Sequence, residues 1–139
     1  DLIKLYEGYS PSAYLCPAAH WTIGYGAIWG LDNTRVTEDH PDINEEQADQ
    51  LLRRDVSISE RTVLRLIRVP LEDGQFNALC SFVFNLGSGS LQSSTLRRKI
   101  NRGDYIGAAD EFPRWVFAGG RKLKGLIKRR NHERLMFLT

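Results

Sequence analysis

The chain has 139 residues, 42% of them hydrophobic, which suits one domain, or two small lobes sharing a helix, around a real core. Its net charge of +2 conceals an asymmetry: residues 1–96 carry 7 basic and 13 acidic side chains, a net of −6, whereas residues 97–139 carry 12 and 4, a net of +8. No apolar run approaches the roughly 20 residues that span a bilayer, which argues against stable membrane insertion of this segment, and 2 cysteines provide neither a disulfide framework nor a zinc site.

Turn and capping residues predict the elements of the first half of the chain. Apolar residues at the start predict the end of a short amphipathic helix, which stops near Gly8. Residues 10–30 hold short apolar runs separated by proline and glycine, and they predict a small β-hairpin or three-strand meander that needs helices to be stable. Asn44 and Gln47 have the spacing of a reciprocal helix cap, and the helix that they start should run to about Arg68 and link two lobes.

The second half is predicted to be mostly helical. Helices are expected over Asp73–Leu86, ending at Gly87, and from Ser93 or Ser94 through Asn101, ending at Gly103. Two more are expected over residues 106–112, where Pro113 breaks the helix, and over Lys124–Leu138, which is basic. Gly119 and Gly120 are expected to form a loop. The fold class is therefore α+β, with a β-containing lobe of about residues 8–43, a linking helix of about 45–68 and a helical lobe of about 70–139.

Glu7 is the first candidate for catalysis. It lies on the last turn of the first predicted helix, between Tyr6 and Tyr9. The helix C-terminus is the negative end of the dipole, and apolar neighbours disfavour a charged carboxylate, so this setting favours the protonated carboxyl that a general acid needs. Single acidic residues are common on protein surfaces, so these features alone also fit a surface glutamate without a role.

Cys16, His20 and Thr22 cluster on a short polar stretch that could face Glu7. A thiol nucleophile activated by His20 is an alternative, although a spacing of four residues along a turn does not guarantee contact. The acidic and histidine residues from 38 to 46 fit a solvated loop and helix cap better than a metal site, because they lack ligand spacing. We therefore expect no metal and no cofactor. Cys80 lies in an apolar run and is expected to be a small core residue.

Taken together, Glu7, Cys16 and Thr22 have the Glu-x8-(Asp or Cys)-x5-Thr spacing of the phage T4-type lysozyme family, glycoside hydrolase family 24. The resemblance extends to the flanking segments Leu2-Ile3-Lys4-Leu5-Tyr6, Ala13-Tyr14-Leu15-Cys16-Pro17-Ala18, Trp21-Thr22-Ile23-Gly24-Tyr25-Gly26, Gln75-Phe76-Asn77-Ala78-Leu79, Phe84-Asn85-Leu86-Gly87, Glu111-Phe112-Pro113-Arg114-Trp115 and Gly125-Leu126-Ile127-Lys128-Arg129-Arg130. It covers nearly the whole chain in order, and endolysins of lambdoid phages and prophages look most similar.

The resemblance implies a single lysozyme-like domain of residues 1–139 and an enzyme, a muramidase. Its substrate would be the β-1,4 bond between N-acetylmuramic acid and N-acetylglucosamine in peptidoglycan. Glu7 would protonate the leaving oxygen, while Thr22 and Cys16 would position the attacking water. Phe84 and Thr95 match substrate-binding positions on the far side of the cleft, although core packing and a helix cap explain them equally well. The family implies no cofactor, and we expect a monomer.

The chain departs from the family pattern at two places in the predicted hairpin region. Ala27 stands where the family usually has histidine, and Ala19-His20 stands where it usually has glycine and an apolar residue. These departures concern hairpin stability and placement more than the chemistry, because Glu7 and Thr22 remain. A thiol is mostly neutral at pH 7, so Thr22 is expected to carry more of the water positioning than Cys16.

The basic final third suits a polyanionic partner such as the cell wall, nucleic acid or anionic lipid. Given the resemblance, we expect it to hold the enzyme on the wall, with activity falling at high salt. Two alternatives are a wall-binding module without catalysis, suggested by Ala27 and His20, and a nucleic-acid-binding protein. The second lacks any reading motif, so no nucleic acid is expected.

The expected place of action is the bacterial cell wall, in the periplasm, after synthesis in the host cytoplasm. No export signal is visible in this chain. The chain starts at Asp1, without a methionine and inside a predicted helix, so we expect further residues upstream.

Overall fold

The structure, a computed structural model, describes residues 2–16 and 18–139. Asp1, at the predicted start, and Pro17, one of the prolines of the predicted hairpin region, lie outside the described residues. The chain divides inside its longest helix into two compact units, the first ending at Ser57 and the second spanning Ile58–Thr139. No helix among the described residues is long and apolar enough to cross a membrane.

The first unit opens with a short helix and a hairpin. Helix α1 spans Leu2–Glu7 and ends, as predicted, at Gly8, whose positive φ of 67° lets its N–H donate to the Lys4 carbonyl at 3.0 Å. Strands β1 (Ser10–Leu15) and β2 (Trp21–Gly24) pair antiparallel. Only isolated bridges follow β2 within the described residues of this unit, so the region forms a hairpin rather than a three-strand meander.

Helix α2, Glu45–Leu66, begins at the predicted reciprocal cap. The Gln47 N–H donates to the Asn44 side chain at 2.8 Å, and the Asn44 N–H donates to the Gln47 side chain at 3.0 Å. The helix ends before the predicted Arg68, because the Asn101 amide donates to its last carbonyl at 3.0 Å and accepts from the Arg68 N–H at 2.8 Å. A side chain distant in sequence therefore terminates the helix.

The core of the first unit forms where the hairpin, the loop after it and the start of α2 pack together. Its buried side chains are Ile23, Ala27, Val36, Ile43, Ala48 and Leu51. Gly24 permits this packing, because a Cβ there would lie only 3.3 Å from both the Ala48 Cβ and the Ile43 Cδ1. The Tyr9 hydroxyl donates to the Ile43 carbonyl at 3.1 Å and ties the segment between α1 and β1 to the loop that precedes α2.

The second unit is helical apart from one short hairpin. After the rest of α2, its elements are α3 (Asp73–Leu86), α4 (Ser88–Gln92), α5 (Thr95–Asn101), α6 (Tyr105–Ala109), a 3-10 turn (Phe112–Arg114), strands β3 (Phe117–Ala118) and β4 (Arg121–Lys122), and α7 (Lys124–Leu138). The bounds of α3 and α7 are those predicted. Ser94, rather than Ser93, caps α5 by accepting from the Arg97 N–H at 2.9 Å.

Some predictions for the second unit are wrong in detail. The helix expected over residues 106–112 ends at Ala109, and Pro113 lies inside the next 3-10 turn, where a proline early in the turn needs no N–H. The loop predicted at Gly119 and Gly120 is present, and it is the tight turn of the β3–β4 hairpin, in which both glycines have positive φ. Helix α4 is not predicted at all, since its sequence is rich in serine and glycine and has weak helix propensity.

A cluster of buried charges holds α7 against α3. Arg130 and Glu133 are fully buried, and the Arg130 Nη2 donates to the Glu133 Oε2 at 2.9 Å. The Arg130 Nε lies 2.7 Å from the other carboxylate oxygen, an ion-pair contact without hydrogen-bond alignment. Ser81 of α3 donates its hydroxyl to the same carboxylate. Burial raises the pKa of Glu133 against the opposing effect of Arg130, so the charged form depends on these partners.

Glu133→Ala is expected to destabilise the chain by about 3–5 kcal/mol, because it leaves Arg130 buried without its partner. Urea unfolding followed by circular dichroism measures the free energy of unfolding. Asp110→Ala is the matched control: it breaks the exposed ion pair with Arg134, 2.9 Å long, and should cost no more than about 1 kcal/mol. Equal losses in the two variants would contradict a structural role for the buried cluster.

Candidate active site

Glu7 is the last residue of α1, and its half-buried carboxyl lies against the backbone of the turn that follows β2. A Cβ added to Gly26 would come within 2.6 Å of the Glu7 Oε1, and Gly26 has a φ of +84°. The backbone conformation favours glycine at this position, and any larger side chain would displace the Glu7 carboxyl. The turn fixes one side of the carboxyl.

Helix α1 is itself held in place by polar and aromatic contacts. The Lys4 ammonium lies 2.8 Å from the Asp49 carboxylate of α2 and 5.0 Å from the centroid of the Tyr25 ring. The rings of Tyr9 and Tyr25 are 5.7 Å apart. Lys4 before Glu7 and Tyr9 after it therefore join α1 and the residues that follow it to α2 and to Tyr25. The position of the Glu7 carboxyl thus follows from the packing of the first unit.

The loop of the hairpin brings Cys16 and Thr22 together around the carbonyl of His20. This carbonyl accepts from the Cys16 N–H at 2.9 Å and from the Thr22 hydroxyl at 2.9 Å. Ala19, with a φ of 63°, makes the tight turn, and its N–H donates to the Cys16 carbonyl at 2.8 Å. The thiol is half-buried and Thr22 is buried. The hydroxyl and the thiol therefore share one end of the hairpin.

The surroundings of Cys16 make its thiol more acidic than usual. Burial acts to raise the pKa of the Cys16 thiol, but hydrogen bonds from the His20 backbone and the Thr22 side chain outweigh it and hold that pKa below its ordinary value. The other cysteine is the opposite case, because burial in the core raises the pKa of Cys80 to about 12. Both cysteines are unpaired, and Cys80 is the core residue that the sequence predicts.

Tyr14 lies on β1 of the hairpin, and the sequence did not single it out for the site. It pairs directly with Thr22 across the two strands, so the two side chains lie on the same face. Burial raises the pKa of Tyr14, and the negative charges of Glu7 and then Cys16 raise it further. The phenol therefore lies near both groups. The only signal in the sequence was the register of the hairpin, which places positions 14 and 22 opposite each other.

The side chain of His20 contacts Arg35. Its Nδ1 lies 2.9 Å from the Arg35 Nη2, and the Arg35 guanidinium lies 5.6 Å from the centroid of the Trp29 ring. His20 thus serves Cys16 through its backbone, and these contacts give no support to a thiol nucleophile activated by this imidazole. Ala27, the other departure from the family pattern, is only 1% exposed and belongs to the apolar core.

Phe84 and Thr95 lie in the second unit. Phe84 is half-buried on α3 and is not among the residues that form or pack against the buried core cluster described for that unit. Thr95 is the exposed first residue of α5, and its Oγ1 accepts from the Arg98 guanidinium at 2.9 Å. Ser94 makes the helix cap, so the cap interpretation of Thr95 is wrong. A substrate-binding role for both residues stays a prediction.

Residues 38–46 form a loop and the start of α2. Within residues 2–16 and 18–139, no group of three or more histidine, cysteine, aspartate or glutamate side chains is arranged to hold a metal ion.

Known proteins match the chain along nearly its whole length. The Phage lysozyme family matches residues 4–133. The endolysin of Acyrthosiphon pisum secondary endosymbiont phage 1 is 43% identical over 140 residues, which cover 98% of this chain and 92% of the relative. The endolysin of Bacillus phage B103 is 43% identical over 143 residues. This match covers 100% of the present chain but only 52% of that relative. The solved structure of the endolysin from Escherichia coli O157:H7 phage FAHEc1 has a TM-score of 0.88 at 35% identity, covering 99% of this chain and 89% of that one.

The fold and these similarities define the class of protein, a lysozyme-like glycoside hydrolase with an α+β fold. The chain belongs to the phage lysozyme family, and its activity is that of an endolysin acting on bacterial peptidoglycan. The family resemblance and the fold class predicted from the sequence are confirmed.

Gly26→Ala is expected to lower hydrolysis of peptidoglycan by about 100-fold, because the added methyl group displaces the Glu7 carboxyl. It should also lower the free energy of unfolding by about 1–2 kcal/mol through backbone strain. Gly103→Ala is the matched control, since Gly103 has a φ of +81° and open space around it. It should lose similar stability and keep its activity. Turbidity assays and urea unfolding measure both quantities, and full activity of Gly26→Ala would contradict the contact with Glu7.

Proposed function

We propose that the chain is a muramidase that hydrolyses the β-1,4 bond between N-acetylmuramic acid and N-acetylglucosamine, with Glu7 as the general acid. One observation carries the proposal: the Glu7 carboxyl is fixed against Gly26 and lies near Tyr14, which pairs with Thr22 beside Cys16. Hydrolysis of a glycosidic bond needs a general acid, a role that the carboxyl can fill, and a group that positions the attacking water, a role that we give to the hydroxyl and the thiol.

In this mechanism Glu7 donates its proton to the glycosidic oxygen as the bond to the sugar C1 breaks. Water then bonds to C1, and the proton that the water releases restores the acid. The net change is the addition of one water molecule, with no cofactor or metal required.

We assign the positioning of this water to Thr22 and Cys16. The Thr22 hydroxyl has one hydrogen, for the His20 carbonyl at 2.9 Å or for the Cys16 sulfur, and its oxygen lone pairs are available to accept from water. The lowered pKa of Cys16 increases the share of thiolate, which can accept a hydrogen bond from water and face the positive charge that develops on the sugar. Oxygen is the stronger hydrogen-bonding atom, so Thr22 carries more of the effect.

The remaining roles follow from the family and extend the same proposal. Phe84, half-buried outside the core, and Thr95, exposed at the start of α5, contact the sugar chain. The chain works as a monomeric single lysozyme domain, does not bind nucleic acid, and acts in the periplasm, where peptidoglycan lies in bacteria with two membranes.

Glu7→Gln is expected to abolish the release of reducing sugar from purified peptidoglycan, because glutamine has no proton to give to the leaving oxygen. The loss should be at least about 100-fold. Glu38→Gln, an exposed residue of the same unit, is the matched control and should keep full activity. Equal activity of Glu7→Gln and the parent chain would mean that the acid is misassigned. Binding of both chains to the wall without any release would support a wall-binding module instead.

Thr22→Ala is expected to reduce activity more than Cys16→Ser, because serine restores a hydrogen-bonding hydroxyl whereas alanine restores nothing. The difference between the parent chain and Cys16→Ser should grow as pH rises, since the thiolate forms on deprotonation. Thr37 is an exposed threonine of the same unit, and Thr37→Ala is the matched control for the loss of a methyl and a hydroxyl group. This variant should keep full activity. Initial rates across a pH series measure these effects. A larger loss in Cys16→Ser would assign the water to the thiol.

A further inference from the structure

Three exposed side chains of the first unit contact one another in a row, and we call them the Arg35 cluster: Trp29, Arg35 and His20. Trp29 and Arg35 lie opposite each other in an isolated antiparallel bridge, so their side chains share a face. The Arg35 guanidinium lies 5.6 Å from the centroid of the Trp29 ring, and its Nη2 lies 2.9 Å from the His20 Nδ1. A guanidinium has only donors, so the imidazole nitrogen accepts in this contact. The ring and the imidazole therefore both restrain the guanidinium.

The Arg35 cluster adjoins the candidate active site through His20. The His20 carbonyl accepts from the Cys16 N–H and from the Thr22 hydroxyl, each at 2.9 Å. The imidazole of the same residue contacts Arg35. Only the span of His20 and these contacts separates the guanidinium from the Thr22 hydroxyl. A group bound to Arg35 therefore lies beside the place to which we assign the attacking water.

The charge of Arg35 is not balanced by a carboxylate of the described chain. Lys4 and Arg54, two other cations of the first unit, form ion pairs with aspartates at 2.8 Å and 3.0 Å. Arg35 forms no ion pair with any residue that the structure describes. A guanidinium presents several N–H donors in one plane, and the contact with His20 uses one nitrogen. The remaining donors suit the two oxygens of a carboxylate.

We propose that Arg35 binds a carboxylate of the substrate, carried by the muramic acid residue beside the bond that is cut. The proposal rests on the proposed muramidase function and names the part of the substrate that the site recognises. N-acetylglucosamine has no charged group. N-acetylmuramic acid carries a lactyl carboxyl, which is either a free carboxylate or joined to a peptide stem with carboxylates of its own. Arg35 is thus the binding residue, and Trp29 and His20 are its positioning residues.

Hydrolysis of two matched substrates tests the proposal. The first consists of soluble, uncrosslinked peptidoglycan strands with their peptide stems. The second consists of the same strands after carbodiimide and methylamine have converted the carboxylates to neutral amides. Arg35→Gln should lower kcat/KM on the charged strands by about fivefold, mainly by raising KM, because it removes one solvent-exposed ion pair. It should cut the neutral strands like the parent chain.

Strands whose stems have been removed by an amidase identify the source of the carboxylate, since they keep only the lactyl carboxylate. If the loss in Arg35→Gln persists on these strands, the ligand is the lactyl group. If the loss disappears there but remains on strands with stems, the ligand is a carboxylate of the stem.

Variants of the same unit serve as controls. Arg53→Gln removes an exposed cation of α2 that forms no ion pair with a described residue, and it should match the parent chain on both substrates. Trp29→Leu should lower kcat/KM on the charged strands alone by about threefold, whereas Trp29→Phe keeps a ring for the guanidinium and should restore it. Equal losses of Arg35→Gln on charged and neutral strands, or equal losses in Arg35→Gln and Arg53→Gln, would overturn the proposal.

Binding separates this proposal from the muramidase assignment. In the Glu7→Gln background, fluorescence anisotropy of labelled strands measures affinity without cleavage. Adding Arg35→Gln should weaken binding of the charged strands by about fivefold and leave binding of the neutral strands unchanged. A parent chain that releases no sugar overturns the proposed function. A lack of difference between charged and neutral strands in this binding assay overturns the role of Arg35.

Discussion

The candidate site depends on one steric constraint, the close approach of β2 and its following turn to their neighbours. A Cβ at Gly24 would lie 3.3 Å from the Ala48 Cβ of α2, and a Cβ at Gly26 would lie 2.6 Å from the Glu7 Oε1. Both glycines have positive φ, which other residues rarely adopt. The strand can therefore lie on the core with one glycine and support the acid with the next. The same few residues fix the core of the first unit and the position of its carboxyl.

In the hairpin, a backbone carbonyl rather than a side chain holds the polar residues of the candidate site in place. The carbonyl of His20 accepts from both the Cys16 N–H and the Thr22 hydroxyl, so one peptide group sets the geometry of two candidate catalytic residues. The imidazole is occupied by Arg35 instead. This explains how the chain can carry His20 at a position where the family has an apolar residue, since the functional contact needs only a carbonyl.

The positively charged side chains of the second unit include both buried and exposed ones. Arg130 is fully buried and is compensated by Glu133 and the ring of Phe82, which makes it part of the core that joins α7 to α3. Lys122 and Lys124 are exposed and lack such partners among the described residues. The net positive charge of the C-terminal third therefore includes a buried charge that stabilises the fold and exposed charges that face solvent. Charge counts in the sequence cannot separate the two, because burial depends on the packing of α7.

The sequence by itself determined the features that depend on neighbouring residues: the reciprocal cap of Asn44 and Gln47, the end of α1 at Gly8, the bounds of α3 and α7, and the family spacing of Glu7, Cys16 and Thr22. Only the tertiary structure decided the features set by distant partners. Asn101 ends α2 at Leu66, Tyr14 joins the site through its partner strand, and Gly26 meets Glu7. Caps and turns are local in energy, whereas these contacts join segments that the chain brings together only when its cores form.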